Sequence, residues 1–421
     1  MATKKLLVVS NDPISKTSNN GKTIASFIDE KDKNYVRQLY FSTEKPSVKG
    51  YLYYQLSDKD VLKGIFRQKQ RGRACEAIDR ISQLASEHNH NKIKRNAFTR
   101  ILREFLWSKN WKSKQLIKWL DEYKPDVVFF VAGDSGFAYK IVNFIVNRYK
   151  SRLVTYITDD YIMPRNKENM IEKIRRKYIR KKMLNCIEES DEYFTISTLM
   201  QDAYYKLSGK KSNLMINITS SLKMKCDFGK LENKNINIIY TGSLYYNRDK
   251  TIGLVAEAVS RYNEKIKGQK KHIEISVYSN IEPDIRSKQK FVKKNICEYR
   301  GSLNPEELKY ALNRADILLF VESFDEEMKE KTKYSLSTKV PEYMSVGKPI
   351  LAIGPNDIGS MNYLNDVAFC ANSEEKIYSV IQQMLSSHEA MNQKARLAIE
   401  KFNNNHNAVA QKKLFMDICR I

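Results

Sequence analysis

The sequence predicts an α/β protein built as two doubly wound, Rossmann-like domains with a central cleft between them. Two observations carry this expectation. Short apolar runs alternate with helical patterns along most of the chain, as parallel strands covered by helices require. The 421 residues also exceed one ordinary domain of roughly 100–200 residues, while 42% hydrophobic residues with only 15 Gly and 9 Pro exclude a disordered or low-complexity chain.

In the first half, Leu6–Val9, Val36–Phe41 and Tyr51–Leu56 read as strands, with a helix from about Gly21 to Glu30 between the first two. Lys92–Glu122 reads as a long basic helical region, because Phe98, Ile101, Leu102 and Phe105, then Leu116, Ile117 and Leu120, recur at helical spacing. Pro125–Phe130, Leu153–Thr158 and Glu192–Ser197 complete a first sheet, and Phe137–Tyr149 is an amphipathic helix. The N-terminal domain is thus expected at 1–217. Ser220–Asn235 lacks periodicity and is polar, which marks a linker at 218–235. Strands at Asn237–Gly242, His272–Ser279, Glu298–Gly301, Asp316–Glu322, Pro349–Gly354 and Val367–Ala371 build a C-terminal domain at 236–390. Asn304 reads as the N-cap of a helix whose first position is Pro305. A last helix at 391–421 closes the chain and is free to return to the first domain.

Lys and Arg outnumber Asp and Glu by 73 to 49, a net charge of +24, so an anionic partner is expected. The charge gathers at Lys63–Arg103 and Arg165–Lys182. Nucleic acid is a rival partner, but no recognised motif or aromatic-basic alternation on the strands supports it. Six scattered cysteines without a Cys-x-x-Cys pattern suit reduced thiols in a cytoplasm, and no zinc site is expected. Leu6–Val9 is too short for the core of a signal peptide, and no apolar run approaches the ~20 residues of a spanning helix. Ile171–Leu184 carries Ile171, Ile174, Tyr178 and Met183 among seven Lys or Arg, either an interfacial pattern or a stripe packed on its own sheet. The expected location is cytoplasmic, peripheral on the inner face of the plasma membrane. Trp107 and Trp111 read as core packing, with an interface anchor as the alternative.

Four constellations bear on chemistry. Asn20-Gly21-Lys22 ends like a phosphate loop, but Walker A needs Gly where Lys16 stands; the loop either receives a ligand or is a plain turn. Asp58 and Asp60 have the Asp-x-Asp spacing of a metal-diphosphate site yet read better as a helix cap. Asp159 and Asp160 follow a buried-looking strand, at the end where open α/β sheets bind ligands, with loop capping as the alternative. The densest signal runs from Phe320 to Pro355. There Glu322 ends a strand, and Ser337-Thr338-Lys339 opens a helix with Glu342 three residues on. Hydroxyls, helix amides and a lysine suit a diphosphate, and Glu342 on the same face suits ribose hydroxyls; the alternative is a helix start with a surface acid.

The stretch Ser337-Thr338-Lys339-Val340-Pro341-Glu342-Tyr343-Met344-Ser345-Val346-Gly347-Lys348-Pro349 resembles the donor-binding signature of bacterial GT-B glycosyltransferases of the family 4 type, found in capsule and exopolysaccharide clusters. Thr241–Val259 is similar to that family's Gly-x-Leu loop with a following Arg, and Val321–Glu326 resembles its loop before the signature. Asn11–Thr23 and Thr155–Tyr161 also resemble the family's amino-terminal domain.

The resemblance implies a glycosyltransferase of hexosyltransferase type. It would move sugar from a nucleoside-diphosphate sugar to a glycan or polyprenyl-diphosphate-linked acceptor in cell-surface polysaccharide synthesis, with retention, without metal or other cofactor. Glu342 matches the second Glu of the family's pair, which holds the ribose. Tyr334 stands where the first would be, so a neighbour such as Glu326 or Glu327 replaces it or the acid is missing. Arg248 and Lys339 match the basic pair that neutralises the leaving diphosphate, although the usual Arg directly after Gly242 is Ser243 here. Gly242, Ser337, Thr338 and Glu322 join the donor set, and Asp159 and Asp160 are expected to position or deprotonate the acceptor. A non-catalytic GT-B partner subunit is the alternative that Tyr334 raises.

Overall fold

Five consecutive residues of Leu6–Ser10 and six of Val127–Ala132 are buried without alternation, the mark of strands covered on both faces. The computed structural model describes residues 4–15, 19–28, 34–65, 71–77, 97–216, 218, 235–266, 272–293 and 296–420. The expected linker at 218–235 falls almost wholly outside the described residues, as do Lys16, Cys226, the start of the long helical region at 92–96 and most of the charge between Lys63 and Arg103.

The chain divides into two compact units, Met1–Ile218 with Ala408–Ile421, and Thr219–Asn407. In the first unit, eight strands run in sequence as β1 Leu6–Ser10, β2 Val36–Tyr40, β3 Leu52–Gln55, β4 Arg73–Cys75, β5 Val127–Ala132, β6 Arg152–Ile157, β7 Glu192–Thr195 and β8 Asn213–Leu214. They form one sheet ordered β4-β3-β2-β1-β5-β6-β7-β8, parallel except for the short edge pair β3–β4. Val8 sits opposite Gln38 on one side and Phe129 on the other. Between β1 and β5 the winding reverses, and ligands of open α/β sheets bind in the crevice such a reversal leaves at the carboxyl ends.

The second unit repeats the plan with β9 Ile236–Thr241, β10 Ile273–Tyr278, β11 Cys297–Tyr299, β12 Ile317–Val321, β13 Ile350–Ile353 and β14 Phe369–Ala371. All pairs are parallel, in the order β11-β10-β9-β12-β13-β14, so its reversal lies between β9 and β12.

Within Lys92–Glu122 the described residues form two helices, Ala97–Asn110 and Lys114–Tyr123, and the Ser113 hydroxyl caps the second by accepting from Leu116 N. The closing segment is also two helices, His388–Asn405 in the second unit and Ala408–Cys419 in the first. The latter inserts Phe415, fully buried, between Phe27 and Phe129, with ring centroids 6.0 and 4.9 Å away. Trp107 and Trp111 are core residues: Trp107 stacks on Phe137 at 3.9 Å and Trp111 meets Phe144 at 5.3 Å. Among the described residues, no helix is long and apolar enough to cross a membrane.

Because all three tryptophans, Trp107, Trp111 and Trp119, lie in the first unit, their fluorescence reports its unfolding. Phe415→Ala should destabilise that transition by about 3–5 kcal/mol, the usual cost of emptying a buried aromatic site. An unchanged transition would show that the last helix does not hold the first unit together.

Candidate functional site

At the winding reversal of the second unit, β9 ends at Thr241 and β12 at Val321, and the residues that follow build a polar site. Glu322, the residue after β12, is 2% exposed. Its carboxylate accepts from Arg248 Nη2 at 2.9 and 3.0 Å and from Nε at 3.3 Å, a fork-on-fork contact that fixes the guanidinium. Arg248 opens the helix Arg248–Lys265, reached through Tyr246 and Asn247, both in the left-handed region at φ 65° and 58°. Such backbone costs of order 1–3 kcal/mol at a non-glycine residue and persists only where its surroundings impose it. Burial pushes the Glu322 carboxyl above the ordinary range, and Arg248 pulls it part of the way back. For Arg248, burial works against the charge, but Glu322 together with Tyr240 and Tyr246 offsets it and the guanidinium ends above its usual value. Gly354, after β13, keeps the carboxylate's stem in place: a Cβ there would come 2.9 Å from that of Glu322.

The helix Lys339–Val346 is tied to the same edge by Tyr343, whose buried hydroxyl accepts from Thr241 N at 2.8 Å, next to Gly242. Thr338 is its N-cap but makes no side-chain capping bond; the Ser337 hydroxyl instead accepts from Lys339 N at 3.3 Å. Lys339 Nζ donates to Glu342 Oε2 at 2.6 Å across one turn. Gly242, Arg248, Glu322, Ser337, Thr338, Lys339 and Glu342 therefore belong to one edge of one sheet. The surface-acid reading of Glu342 does not hold, since its side chain is 15% exposed and engaged by the lysine. Ser243, where Arg was expected, turns the loop: its hydroxyl accepts from Tyr245 N at 3.2 Å. Glu326 and Glu327 start the helix Glu326–Thr332, which Asp325 caps, and pair with Lys329 and Lys331.

The first unit has its own site at the β1–β5 reversal, a cavity of about 490 Å³. Ser10 ends β1, and Asn11 and Asp12 follow it; Gly133, Asp134 and Ser135 follow β5; Arg100, Arg103 and Glu104 come from the helix Ala97–Asn110, and Arg175 from the helix Met170–Glu189. Gln38, fully buried, pins the loop after β1 by donating to Ser10 Oγ at 2.7 Å and accepting from Ile14 N at 2.8 Å. Asp134 takes Arg100 at 2.7 Å and Arg175 at 2.8 Å. Glu104 accepts from Gly136 N at 2.6 Å and Phe137 N at 2.8 Å, so the amides that open the helix Gly136–Tyr149 are satisfied by the chain's own carboxylate. Burial nonetheless pushes the Glu104 carboxyl up, those two amides offsetting part of it.

Arg100, Arg103, Glu104, Asp134 and Arg175 were not singled out from the sequence. The signal available was Gly133-Asp134-Ser135 at the carboxyl end of an apolar strand, the same signal that drew attention to Asp159 and Asp160. Of those two, Asp160 is buried and caps its loop: Oδ1 accepts from Ile162 N and Met163 N, both at 3.1 Å, and from the Tyr204 hydroxyl at 3.3 Å. Asp159 accepts from the Tyr161 hydroxyl at 3.5 Å, and Tyr161 rather than either Asp lines the cavity among the described residues.

Asp58 is engaged by Arg103 Nε and Trp107 Nε1, both at 2.7 Å, while Asp60 accepts from Ser57 N and Oγ at the start of the helix Asp58–Ile65. The pair is a helix cap and a core contact. Asn20, Gly21 and Lys22 start the helix Asn19–Phe27, away from the cavity lining; the side chain of Asn20 lies outside the described residues, and Lys22 is exposed. Gly21 is small because the chain packs there: a Cβ would fall 2.2 Å from Pro13 O.

No protein-family model and no curated protein matches the sequence. Solved structures do. Anabaena Alr3699/HepE in complex with UDP is similar at 11% identity, covering 98% of each chain with a TM-score of 0.64. The fold is GT-B. A UDP-forming α,α-trehalose-phosphate synthase from Burkholderia xenovorans, in complex with glucose-6-phosphate, shares the GT-B fold at 10% identity, 99% and 100% coverage and a TM-score of 0.60. A trehalose-6-phosphate synthase studied for glycosyl transfer with retention matches at 13% identity, 99% of each chain and a TM-score of 0.60.

In this GT-B chain the Arg248–Glu322 pair should respond asymmetrically to mutation. Glu322→Ala strands a buried guanidinium and should cost the second unit about 3–5 kcal/mol, whereas the double variant Glu322→Ala, Arg248→Met should recover much of that. Amide hydrogen exchange of β9 and β12 reads both. Equal destabilisation by the single and double variants would mean that the pair is not coupled.

Proposed function

We propose that this chain is a sugar-nucleotide-dependent glycosyltransferase whose donor binds the second unit at the carboxyl edge of β9 and β12. The observation that carries the reading is the Lys339–Glu342 pair at a helix start on that edge, beside Gly242 and the buried Arg248–Glu322 contact. The UDP complex of a GT-B neighbour supports a nucleoside diphosphate as the ligand.

The Lys339–Glu342 pair is a donor-shaped contact without the donor. Ribose hydroxyls donate to Glu342 and the diphosphate accepts from Lys339, so binding replaces one ion pair by two charge-assisted contacts. As the bond between the anomeric carbon and the β-phosphate oxygen breaks, negative charge grows on that oxygen. Lys339 and Arg248 meet the growing charge, with Glu322 holding Arg248 in a single orientation. The acceptor oxygen bonds to the anomeric carbon from the same face, and its proton passes to the departing phosphate oxygen. The product keeps the donor's configuration, in line with the retention for which one neighbour was studied. No divalent ion is needed while two cations and helix amides stand at the diphosphate.

The cavity of the first unit is the acceptor site in this reading, with Asp134, Glu104 and the three arginines offering acceptors and donors to sugar hydroxyls or a phosphate. The glucose-6-phosphate complex of a neighbour supports an anionic acceptor. A lipid-linked glycan acceptor, a cell-surface polysaccharide as product and a peripheral position on an anionic membrane complete the proposal. Asp160, engaged as a loop cap, is not the acceptor base; Asp159 orients the Tyr161 side of the cavity.

Two observations favour a second reading. Tyr334 replaces the expected acid, and Arg248 is neutralised by Glu322, as in a subunit that keeps the fold without the chemistry. Release of UDP from UDP-sugars by the isolated protein decides against it.

Two substitutions should fail differently. Glu342→Ala removes a ribose acceptor used in ground and transition states alike, so donor affinity falls with little change in kcat. Lys339→Ala removes charge needed most at departure, so kcat falls by roughly 10²–10³-fold. Wild-type affinity and turnover in either variant would overturn the assignment. EDTA should leave turnover within about twofold; a complete loss restored by Mn²⁺ would remove the metal-free mechanism.

A further inference from the structure

The helix Ala97–Asn110 has apolar residues on two opposite faces. Ala97 and Trp107 are buried, and Arg100, Arg103 and Glu104 turn to the cavity. On the other face, at i, i+3, i+4 and i+7, stand Phe98, Ile101, Leu102 and Phe105, all exposed; Phe98 and Phe105 are 65% and 66% exposed. The helix Met170–Glu189 repeats the arrangement. Ile179, Met183, Cys186 and Ile187 are buried, while Met170, Ile171, Ile174 and Tyr178 are exposed. Asp134 joins the two helices by binding Arg100 of one and Arg175 of the other, on the cavity side of both.

Soluble surfaces carry single exposed leucines and phenylalanines freely, but four large exposed apolar side chains on one face of each of two neighbouring helices mark an interaction surface. The charge beside it selects the occupant. Lys173, Lys177 and Lys181, one turn apart and exposed, run along the helix next to Met170, Ile174 and Tyr178. An apolar face bordered by a row of lysines, on a chain of net charge +24, complements an anionic bilayer: acyl chains for the apolar side chains, phosphates for the ammonium groups.

We infer that these two helix faces form one membrane-docking surface, in which Phe98, Leu102 and Phe105 of Ala97–Asn110 insert into an anionic bilayer and Lys173, Lys177 and Lys181 of Met170–Glu189 bind its phosphates. The inference deepens the proposed function by giving its membrane contact an address, and it rests on that reading only for what the cavity receives. The inner side of the same helix lines the cavity that the proposed function gives to the acceptor. Insertion also separates this surface from a merely electrostatic one: the lysines confer preference for anionic lipid, and the phenylalanines confer resistance to salt.

The test is co-sedimentation of the full chain, without nucleotide, with phosphatidylcholine vesicles and with vesicles containing one-third phosphatidylglycerol. The wild type should bind the anionic vesicles and retain much of that binding in high salt. Phe98→Ser with Phe105→Ser should lower the partition by roughly tenfold or more, because both side chains are exposed in the free protein and lose only bilayer burial. Lys173→Glu with Lys177→Glu and Lys181→Glu should abolish the anionic preference. Wild-type partition by the phenylalanine variant, or binding lost wholly to salt, would overturn insertion. A concentration-dependent dimer that the phenylalanine variant dissolves would assign the patch to a second copy instead. UDP binding measured on the same variants should be unchanged, so loss of vesicle binding with donor binding intact, or the reverse, tells apart a failure of the docking surface and a failure of the transferase reading.

Discussion

Glu322 and Arg248 form the contact on which the second unit's polar edge depends. A carboxylate this deeply buried cannot stay charged without a partner, and a guanidinium 74 residues earlier in the chain supplies it with three contacts between 2.9 and 3.3 Å. The pair ties the end of β12 to the start of the helix after β9 and holds open the reversal between them. Tyr343 makes the second tie, from the helix Lys339–Val346 to Thr241. With both in place, the Lys339–Glu342 pair is presented at a fixed edge, with little left to reorganise when charge moves.

The first unit solves the same problem with a different distribution of charge. Its cavity is lined by three arginines and by Asp12, Glu104 and Asp134, each sign largely answered within the site. Glu104 occupies the helix amides that would otherwise attract a ligand's anion. What remains on offer is a dense set of directional donors and acceptors rather than a bare positive field, which suits a hydroxyl-rich molecule with at most a local negative group. The net charge of +24 is therefore not concentrated in this cavity; part of it is on exposed helix faces.

The fold was legible because parallel strands buried on both faces must be continuous apolar runs, and Leu6–Val9, Val127–Phe130 and Ile317–Val321 could be little else. Lys339 and Glu342 were legible for a similar reason: their relation is local, one helical turn. The partnership of Arg248 with Glu322 was not, since neither residue's neighbours in sequence hint at the other. For Asp160 the sequence left two readings, because the carboxyl end of a strand is also where loops need capping, and an aspartate serves either purpose with the same residue type. Phe98, Ile101, Leu102 and Phe105 were legible as one helical face, but not as an exposed one. Periodicity finds an apolar face, but whether that face meets its neighbours or solvent depends on tertiary packing, and here the opposite face carries the buried Trp107 and the cavity-lining Arg100, Arg103 and Glu104.

The proposed donor site is the β9–β12 edge of the second unit. Photolabelling of the full chain with an azidouridine diphosphate sugar, followed by peptide mapping, tests that placement. UDP-protectable label is expected on peptides spanning Thr241–Arg248 or Ser337–Tyr343. Protectable label confined to the first unit, or none that UDP suppresses, would contradict it.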